Sequence, residues 1–281
     1  MKIIECPRDA MQGLKEFVPT KTKVDYLNSL LHVGFDTLDF GSFVSPKAIP
    51  QMRDTAEVLA GLKLDGTKSK LLAIVANIRG AKEALQFAEI DFLGFPFSIS
   101  ETFQHRNTNK SIIEALNTLH EMQQMCAERE RQLVCYISMG FGNPYGDPFA
   151  PEIVRKFTDI LYSMGVRMIS LADTTGVAEP KIIKQLFGDL IATFPDVEFG
   201  AHFHSHPATV IEKISAAYES GCRRFDGAIR GFGGCPMAKD ELVGNIATED
   251  MISYFDSINL DLGINKQAFS TSLQASQSIF G

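Results

Sequence analysis

Short apolar runs alternate with longer amphipathic ones along the whole chain. Met1-Lys2-Ile3-Ile4-Glu5 reads as a strand, and Val24, Leu27, Leu30 and Leu31 share one face of a helix expected over 21–32. Gly34 stands where such a helix stops. Further strands are expected at 35–40, 71–76, 90–95, 133–137, 166–171, 197–203 and 222–225. Helices are expected at 49–62, 81–88, 111–129, 151–164, 180–194 and 208–220, with two more at 248–258 and 266–279. Eight strands in about 226 residues give roughly 28 residues per unit, the spacing of a (β/α)₈ barrel. An open doubly wound sheet seldom carries eight strands so evenly. No low-complexity stretch or long linker interrupts the pattern, so the expectation is α/β: a single TIM barrel domain over 1–281, with extra C-terminal helices.

Composition narrows the function classes. The chain has 281 residues, 45% of them hydrophobic, enough for a large core. Its formal charge is −7 and its sequence pI about 5.4, without the basic footprint of a nucleic-acid binder. The 27 basic residues are scattered, and no apolar run has the length of a membrane span, so no membrane partner is expected. Five cysteines, Cys6, Cys126, Cys135, Cys222 and Cys235, show no Cys-x-x-Cys spacing, and their number is odd. They point to free thiols in a reducing, cytoplasmic compartment. No signal peptide is visible before the first strand.

In such barrels chemistry sits at the C-terminal ends of the strands. The first strand runs into Pro7-Arg8-Asp9, and the second carries Asp39. The sixth ends in Asp173-Thr174-Thr175-Gly176 and the seventh in His202-Phe203-His204. The eighth carries Asp226 and leads to Gly233-Gly234-Cys235-Pro236, with Asn245 beyond. Side chains alternate along a strand, so His202 and His204 share a face and can reach one cation. The alternative packs one imidazole in the core and leaves the other in solvent. Asp9 at another strand end favours the cation, and Asn245 can supply a neutral oxygen. Two nitrogens and two oxygens suit Mg²⁺, Mn²⁺, Co²⁺ or Zn²⁺. His206, before Pro207, reads as a solvated loop residue or a group behind the ligands, and His32, His105 and His120 as unremarkable helical or loop positions. Arg8 is either a surface ion pair with Asp9 or an oxyanion partner. Cys235 is either a small buried apolar residue or part of a Gly-rich loop that approaches a ligand. Asp39 and Asp173 can orient metal ligands.

Taken in order, these segments resemble the 3-hydroxy-3-methylglutaryl-CoA lyase family of metal-dependent TIM-barrel lyases and Claisen synthases. The match runs over nearly the whole chain. It is carried by Pro7-Arg8-Asp9 with Gln12, Ser42-Phe43-Val44-Ser45-Pro46-Lys47, Pro50-Gln51-Met52 and Ile169-Ser170-Leu171-Ala172-Asp173-Thr174. His202-x-His204, Gly233-Gly234-Cys235-Pro236 and Gly244-Asn245 with Ala247-Thr248-Glu249-Asp250 complete it. The resemblance implies a divalent metal, Mg²⁺ or Mn²⁺, on Asp9, His202, His204 and Asn245. It implies catalytic roles for Arg8, Asp39, Asp173, His202 and Cys235, and substrate contacts from Arg8 and Gln12. It also implies an acyl-CoA thioester as partner, cleaved to acetyl-CoA and acetoacetate, and a homodimer.

The chain departs from the family's pattern in places. Glu5-Cys6-Pro7-Arg8-Asp9-Ala10 is one residue shorter before the proline, and Asp39 stands where the lyases have a glutamate, which shortens the reach by one methylene. Ser205 replaces an aspartate, and Met237 to Val243 replaces a run of small residues and places Glu241 near the mouth. These changes leave the metal set intact and bear on the acyl group. The alternatives are a related lyase, aldolase or Claisen synthase acting on another 3-hydroxyacyl-CoA or a 2-oxo acid, or a barrel that binds without turnover. Lys15, Lys47 and Lys110 are candidate phosphate contacts for the CoA handle.

Overall fold

Eight parallel strands close on themselves in sequence order. They are β1 (Lys2–Glu5), β2 (Thr37–Ser42), β3 (Lys70–Ile74), β4 (Phe92–Ser98), β5 (Gln132–Ser138), β6 (Met168–Asp173), β7 (Glu198–Phe203) and β8 (Arg224–Gly227). The structure is a computed structural model that describes residues 1–234 and 243–281. The ring is completed by β1 against β8, with Ile4 registered on Asp226. The expected (β/α)₈ barrel is therefore the fold.

The helices wrap the outside: α1 (Pro7–Gln12), α2 (Thr20–Leu31), α3 (Thr55–Ala60), α4 (Ile78–Ala84), α5 (Glu101–Thr108), α6 (Ile112–Glu128), α7 (Pro151–Ser163), α8 (Pro180–Thr193) and α9 (Val210–Glu219). Beyond β8 come α10 (Thr248–Ser257), α11 (Lys266–Ala275) and α12 (Gln277–Phe280). Two helices escape the periodicity. Pro7 opens α1, where its fixed φ suits the first helical position. Ser100 caps α5 by accepting from Phe103 N. Neither is long enough to show an apolar stripe. Among the described residues, no helix is long and apolar enough to cross a membrane.

Several strands run past their expected ends: β2 reaches Ser42, β4 Ser98, β5 Ser138 and β6 Asp173. Hydrophobicity stops before the hydrogen-bonded ladder does, because the last strand positions face the barrel mouth. The helix expected over 49–62 is a 3-10 turn at Pro50–Met52 followed by α3. The one expected over 266–279 is divided into α11 and α12.

Two layers of side chains meet at the sheet. The large core between barrel and helices takes one face of each strand, including Leu38, Phe40, Leu93, Phe95, Ile169 and Leu171. Inside the barrel a smaller cluster joins Leu72, Ile74, Phe92, Val134, Tyr136 and Met168 from β3 to β6. The remaining arc of the interior is polar. Ser170 is registered on Gly200, Gly200 on Arg224, and His202 on Asp226. A Cβ at Gly200 would sit 2.9 Å from Ser170 Oγ and 3.1 Å from Arg224 Cδ, so glycine is what admits Arg224 to the barrel. The barrel is thus apolar on one side and charged on the other before any site is considered.

Glu5 ties β1 to the closing segments. It is fully buried, with Oε1 accepting from Ile229 N at 2.8 Å and Oε2 from Thr248 Oγ1 at 2.5 Å. Burial pushes its carboxyl up from 4.5 to about 8. A carboxyl raised in the folded state binds more protons than in the unfolded chain. Its contribution is fully present below the unfolded value and is lost as pH rises through the folded one. The wild type should therefore lose stability relative to Glu5→Gln between pH 4.5 and about 8, on the order of a few kcal/mol. Thermal melts of both proteins across that range check this, and a constant difference would contradict it.

Candidate active site

The mouth of the barrel holds a cavity of about 350 Å³. Its apolar wall includes Ile49, Ile74, Pro96, Phe103 and Tyr136, and its polar floor Arg8, Asp9, Gln12, His202 and His204. A few convergent polar groups in an otherwise apolar recess of this size make a small-molecule site.

Short α1 places three of the polar groups. Arg8 and Gln12 are one helical turn apart, and Asp9 lies beside them. Arg8 Nη1 donates to Asp9 Oδ1 and to Gln12 Oε1, each at 2.9 Å. Gln12 Nε2 donates to Asp9 Oδ1 at 2.7 Å. On its other edge Arg8 grips Asp39 in a fork, with Nε 3.0 Å and Nη2 2.5 Å from Oδ2. Both side chains are buried, at 9% and 1% exposure. Burial opposes the Arg8 charge, but Asp39 and Asp9 outweigh it and hold the guanidinium firmly protonated. Burial, aided by Asp9 and Asp226, pushes Asp39 up to about 6 against the pull of Arg8. Asp9 goes the other way: burial is outweighed by Arg8, His202 and His204, and its carboxyl falls to about 2.

Strand β7 supplies the imidazoles. The His202 and His204 ring centroids are 5.3 Å apart on one face of the strand. One ligand atom each from Asp9, His202 and His204 lies within 4.8 Å of the others. Asp226 Oδ2 meets His202 Nδ1 at 3.1 Å, which leaves Nε2 as the free nitrogen. Burial alone would lower His202, yet the Asp226 hydrogen bond and charge carry its pKa above the ordinary value. Burial and the neighbouring His202 lower His204 to about 4, so its ring is neutral near pH 7.

Asn245 arrives from far along the chain because residues 244–247 pair with two strand ends. Ser205 N donates to Gly244 O at 3.0 Å and Ala228 N to Ile246 O at 3.0 Å. Its Nδ2 donates to Asp9 Oδ2 at 2.6 Å and to Phe232 O at 2.9 Å. The amide thus faces the cluster through its NH₂ rather than its carbonyl. Gly233, at φ +103°, lies under it: a Cβ there would come within 2.5 Å of Asn245 Nδ2 and 2.9 Å of Asp9 O.

Asp39 and Asp173 do not border the cavity. Asp39 stands behind Arg8. Asp173 points to the outer face, between the lining residues Ala172 and Thr174. Its carboxylate accepts from Lys213 Nζ at 2.8 Å, Val177 N at 2.8 Å and Ala178 N at 3.0 Å. Lys213 Nζ also donates to Gly176 O at 2.9 Å and His204 O at 3.1 Å. The pair pins the end of β6 to the end of β7. Cys235 and Glu241 lie outside the described residues. His206 is exposed, and its ring caps a 3-10 turn.

The family model described as HMGL-like matches residues 2–275. The chain belongs to the HMGL-like family. It is 33% identical over 267 residues to the rat cytoplasmic 3-hydroxy-3-methylglutaryl-CoA lyase, covering 94% of this chain and 77% of the relative. It is 31% identical over 258 residues to a hydroxymethylglutaryl-CoA lyase of Bacillus subtilis, covering 92% and 85%. The crystal structure of the Bacillus subtilis HMG-CoA lyase superposes with a TM-score of 0.92 at 30% identity, over 99% of this chain and 93% of that one. An Acinetobacter baumannii HMG-CoA lyase in complex with coenzyme A and 3-methylmalate superposes with a TM-score of 0.91 at 30% identity, over 99% and 91%. Mitochondrial lyases are also among the relatives, so the family spans compartments.

Within this HMGL-like barrel, one positioning residue, Lys213, went unnoticed in the sequence, and Asp226, noted there at the eighth strand, was given no role. Lys213 shares the helical face of Val210, Ile214 and Ala217, and a lysine on an apolar stripe is the signal that it is buried and paired. Asp226 sits on the same strand face as Arg224 and is registered directly on His202. Lys213→Met should leave Asp173 as an uncompensated buried charge, which costs about 3–5 kcal/mol. Urea unfolding measures it, and a loss below about 1 kcal/mol would show the pair to be dispensable.

Proposed function

We propose that this chain is a divalent-metal-dependent carbon–carbon lyase that cleaves 3-hydroxy-3-methylglutaryl-CoA to acetyl-CoA and acetoacetate by a retro-Claisen reaction. The observation that carries this reading is the Asp9–His202–His204 cluster beside Arg8 on the floor of one cavity, with Asp39 paired to Arg8 behind it. The donors fit a cation. Asp9 is ionised, His204 is neutral at working pH, and Asp226 orients the His202 ring. Asn245 joins them with its amide turned, an exchange of O and N that leaves the backbone in place. One carboxylate, one amide and two imidazoles suit Mn²⁺ or Mg²⁺. When bound, the ion supplies Lewis-acid polarisation of the substrate's oxygens.

The remaining steps belong to the chain's own residues. Arg8 has committed Nε, both Nη1 hydrogens and one Nη2 hydrogen. Its second Nη2 hydrogen is the one left for a thioester oxygen that gains charge as the C–C bond breaks. His202 can serve as ligand or base at Nε2 but not both at once, since Asp226 holds Nδ1. With His202 given to the ion, Asp39 is the proton acceptor. Its carboxyl, at about 6, is ionised near neutral pH yet basic enough to take the hydroxyl proton. It lies behind Arg8, which donates to both of its oxygens, so the transfer requires the Arg8 fork to release one of them to the substrate. Cys235, as the family implies, returns a proton to the enolate carbon. Lys15 and Lys47 are exposed close in sequence to the lining residues Gly13 and Ala48, and they serve the CoA phosphates. The cysteines described, Cys6, Cys126, Cys135 and Cys222, are all free thiols, in keeping with a reducing compartment. A homodimer completes the reading by analogy with the family.

Turnover of 3-hydroxy-3-methylglutaryl-CoA with and without Mn²⁺ tests the assignment. Acetoacetate should form only with metal, and His202→Ala should abolish it. Intact thioester after incubation with metal-loaded protein would defeat the substrate claim. The rate should fall as pH drops through about 6, where Asp39 becomes protonated. Asp39→Asn should lack that acid limb and be slower by about 10²–10⁴-fold.

A further inference from the structure

His202 has a second side. Besides the Asp9–His204 cluster, Cys6 Sγ, a His202 ring nitrogen and an Asp226 oxygen also lie within 4.8 Å of one another. Cys6 precedes α1 and is 1% exposed, and Asp226 is 2% exposed. Asp226 uses Oδ2 on His202, while Oδ1 has no hydrogen-bond partner among the described residues. The Cys6 thiol makes only a weak contact with Ile4 O, at 3.8 Å. A buried carboxylate oxygen left unpaired is costly and marks a place where a positive group belongs. Burial first, and then Asp226, Asp39 and Asp9 against Arg8, disfavour a bare Cys6 thiolate, which a bound cation would offset.

We propose that Cys6, His202 Nδ1 and Asp226 form a second cation site, selective for thiophilic ions such as Zn²⁺ and Cd²⁺, on the inner side of the His202 ring. Its donors are one sulfur, one nitrogen and one oxygen, a softer set than the oxygen-rich cluster at the mouth. Binding releases one proton, from the Cys6 thiol, and shifts the His202 ring proton from Nδ1 to Nε2, so the ring stays neutral. The ion then takes the nitrogen that Asp226 now orients, and Nε2, protonated, has no lone pair left for the outer cluster. The inner site is therefore inhibitory: a soft ion in excess silences the barrel from beneath.

Titration of the purified protein with Cd²⁺ alone tests the site without reference to turnover. A sulfur-to-cadmium charge-transfer band should grow to one equivalent, persist in Cys235→Ser and disappear in Cys6→Ser. Absence of the band in the wild type would overturn the site. So would its persistence in Cys6→Ser, or its loss in Cys235→Ser. In the Mn²⁺-supported reaction, Cys6→Ser should raise the Cd²⁺ concentration for half-inhibition by about tenfold or more. A band with no measurable turnover would retain the site while defeating the proposed activity.

Discussion

A single buried guanidinium organises the mouth of this barrel. Arg8 bridges Asp39 on β2 to Asp9 on its own helix and also anchors Gln12. An arginine and two carboxylates in a low-dielectric interior are expensive to desolvate, and they persist because their geometry satisfies nearly every lone pair and hydrogen. The arrangement also divides two acids by environment. Asp9, held by Arg8 and faced by two imidazoles, falls to about 2, and Asp39, buried with other carboxylates near it, rises to about 6. One becomes a permanent anion suited to a cation, and the other a group that can exchange a proton near neutral pH.

That division is possible because the barrel interior is itself divided. From β3 to β6 the inner face is packed with Leu72, Phe92, Val134 and Met168. From β7 round to β2 it carries Arg224, Asp226, His202 and Asp39. The apolar arc gives rigid walls and excludes water, while the polar arc fixes charges. His202 stands at the boundary, with Tyr136 edge-on at 5.5 Å on one side and Asp226 on the other. A ring clamped in this way has a fixed tautomer and a fixed free nitrogen, the condition for a precise ligand and also the reason that Cys6, at its back, matters.

The barrel itself was legible because apolar periodicity is a property of the backbone's repeat, and the strand-helix alternation is long enough to average out errors. His-x-His was legible for the same reason, since two residues on a strand must share a face. What stayed hidden depended on direction rather than spacing. Asp173 ends β6 and looked like a mouth residue, but Ala172 and Thr174 take the inner positions and turn it outward to Lys213. Asp39 was expected in the site, and a residue one methylene longer would extend further towards the cavity it fails to line. The resemblance supplied Asn245, which the fold delivers by pairing residues 244–247 across the ends of β7 and β8, a contact with no local signal. Short α1, whose proline start was its one sign, turned out to be the element that carries Arg8, Asp9 and Gln12.

The central claim is that Arg8 acts on the reacting substrate and does not merely hold the site together. Arg8→Gln, assayed for Mn²⁺ binding and for turnover of 3-hydroxy-3-methylglutaryl-CoA in the same preparation, separates the two. The account predicts Mn²⁺ bound at least as tightly, because a cation beside Asp9 has been removed, together with a kcat reduced by about 10²–10³-fold. Unchanged kcat with Mn²⁺ bound would contradict it.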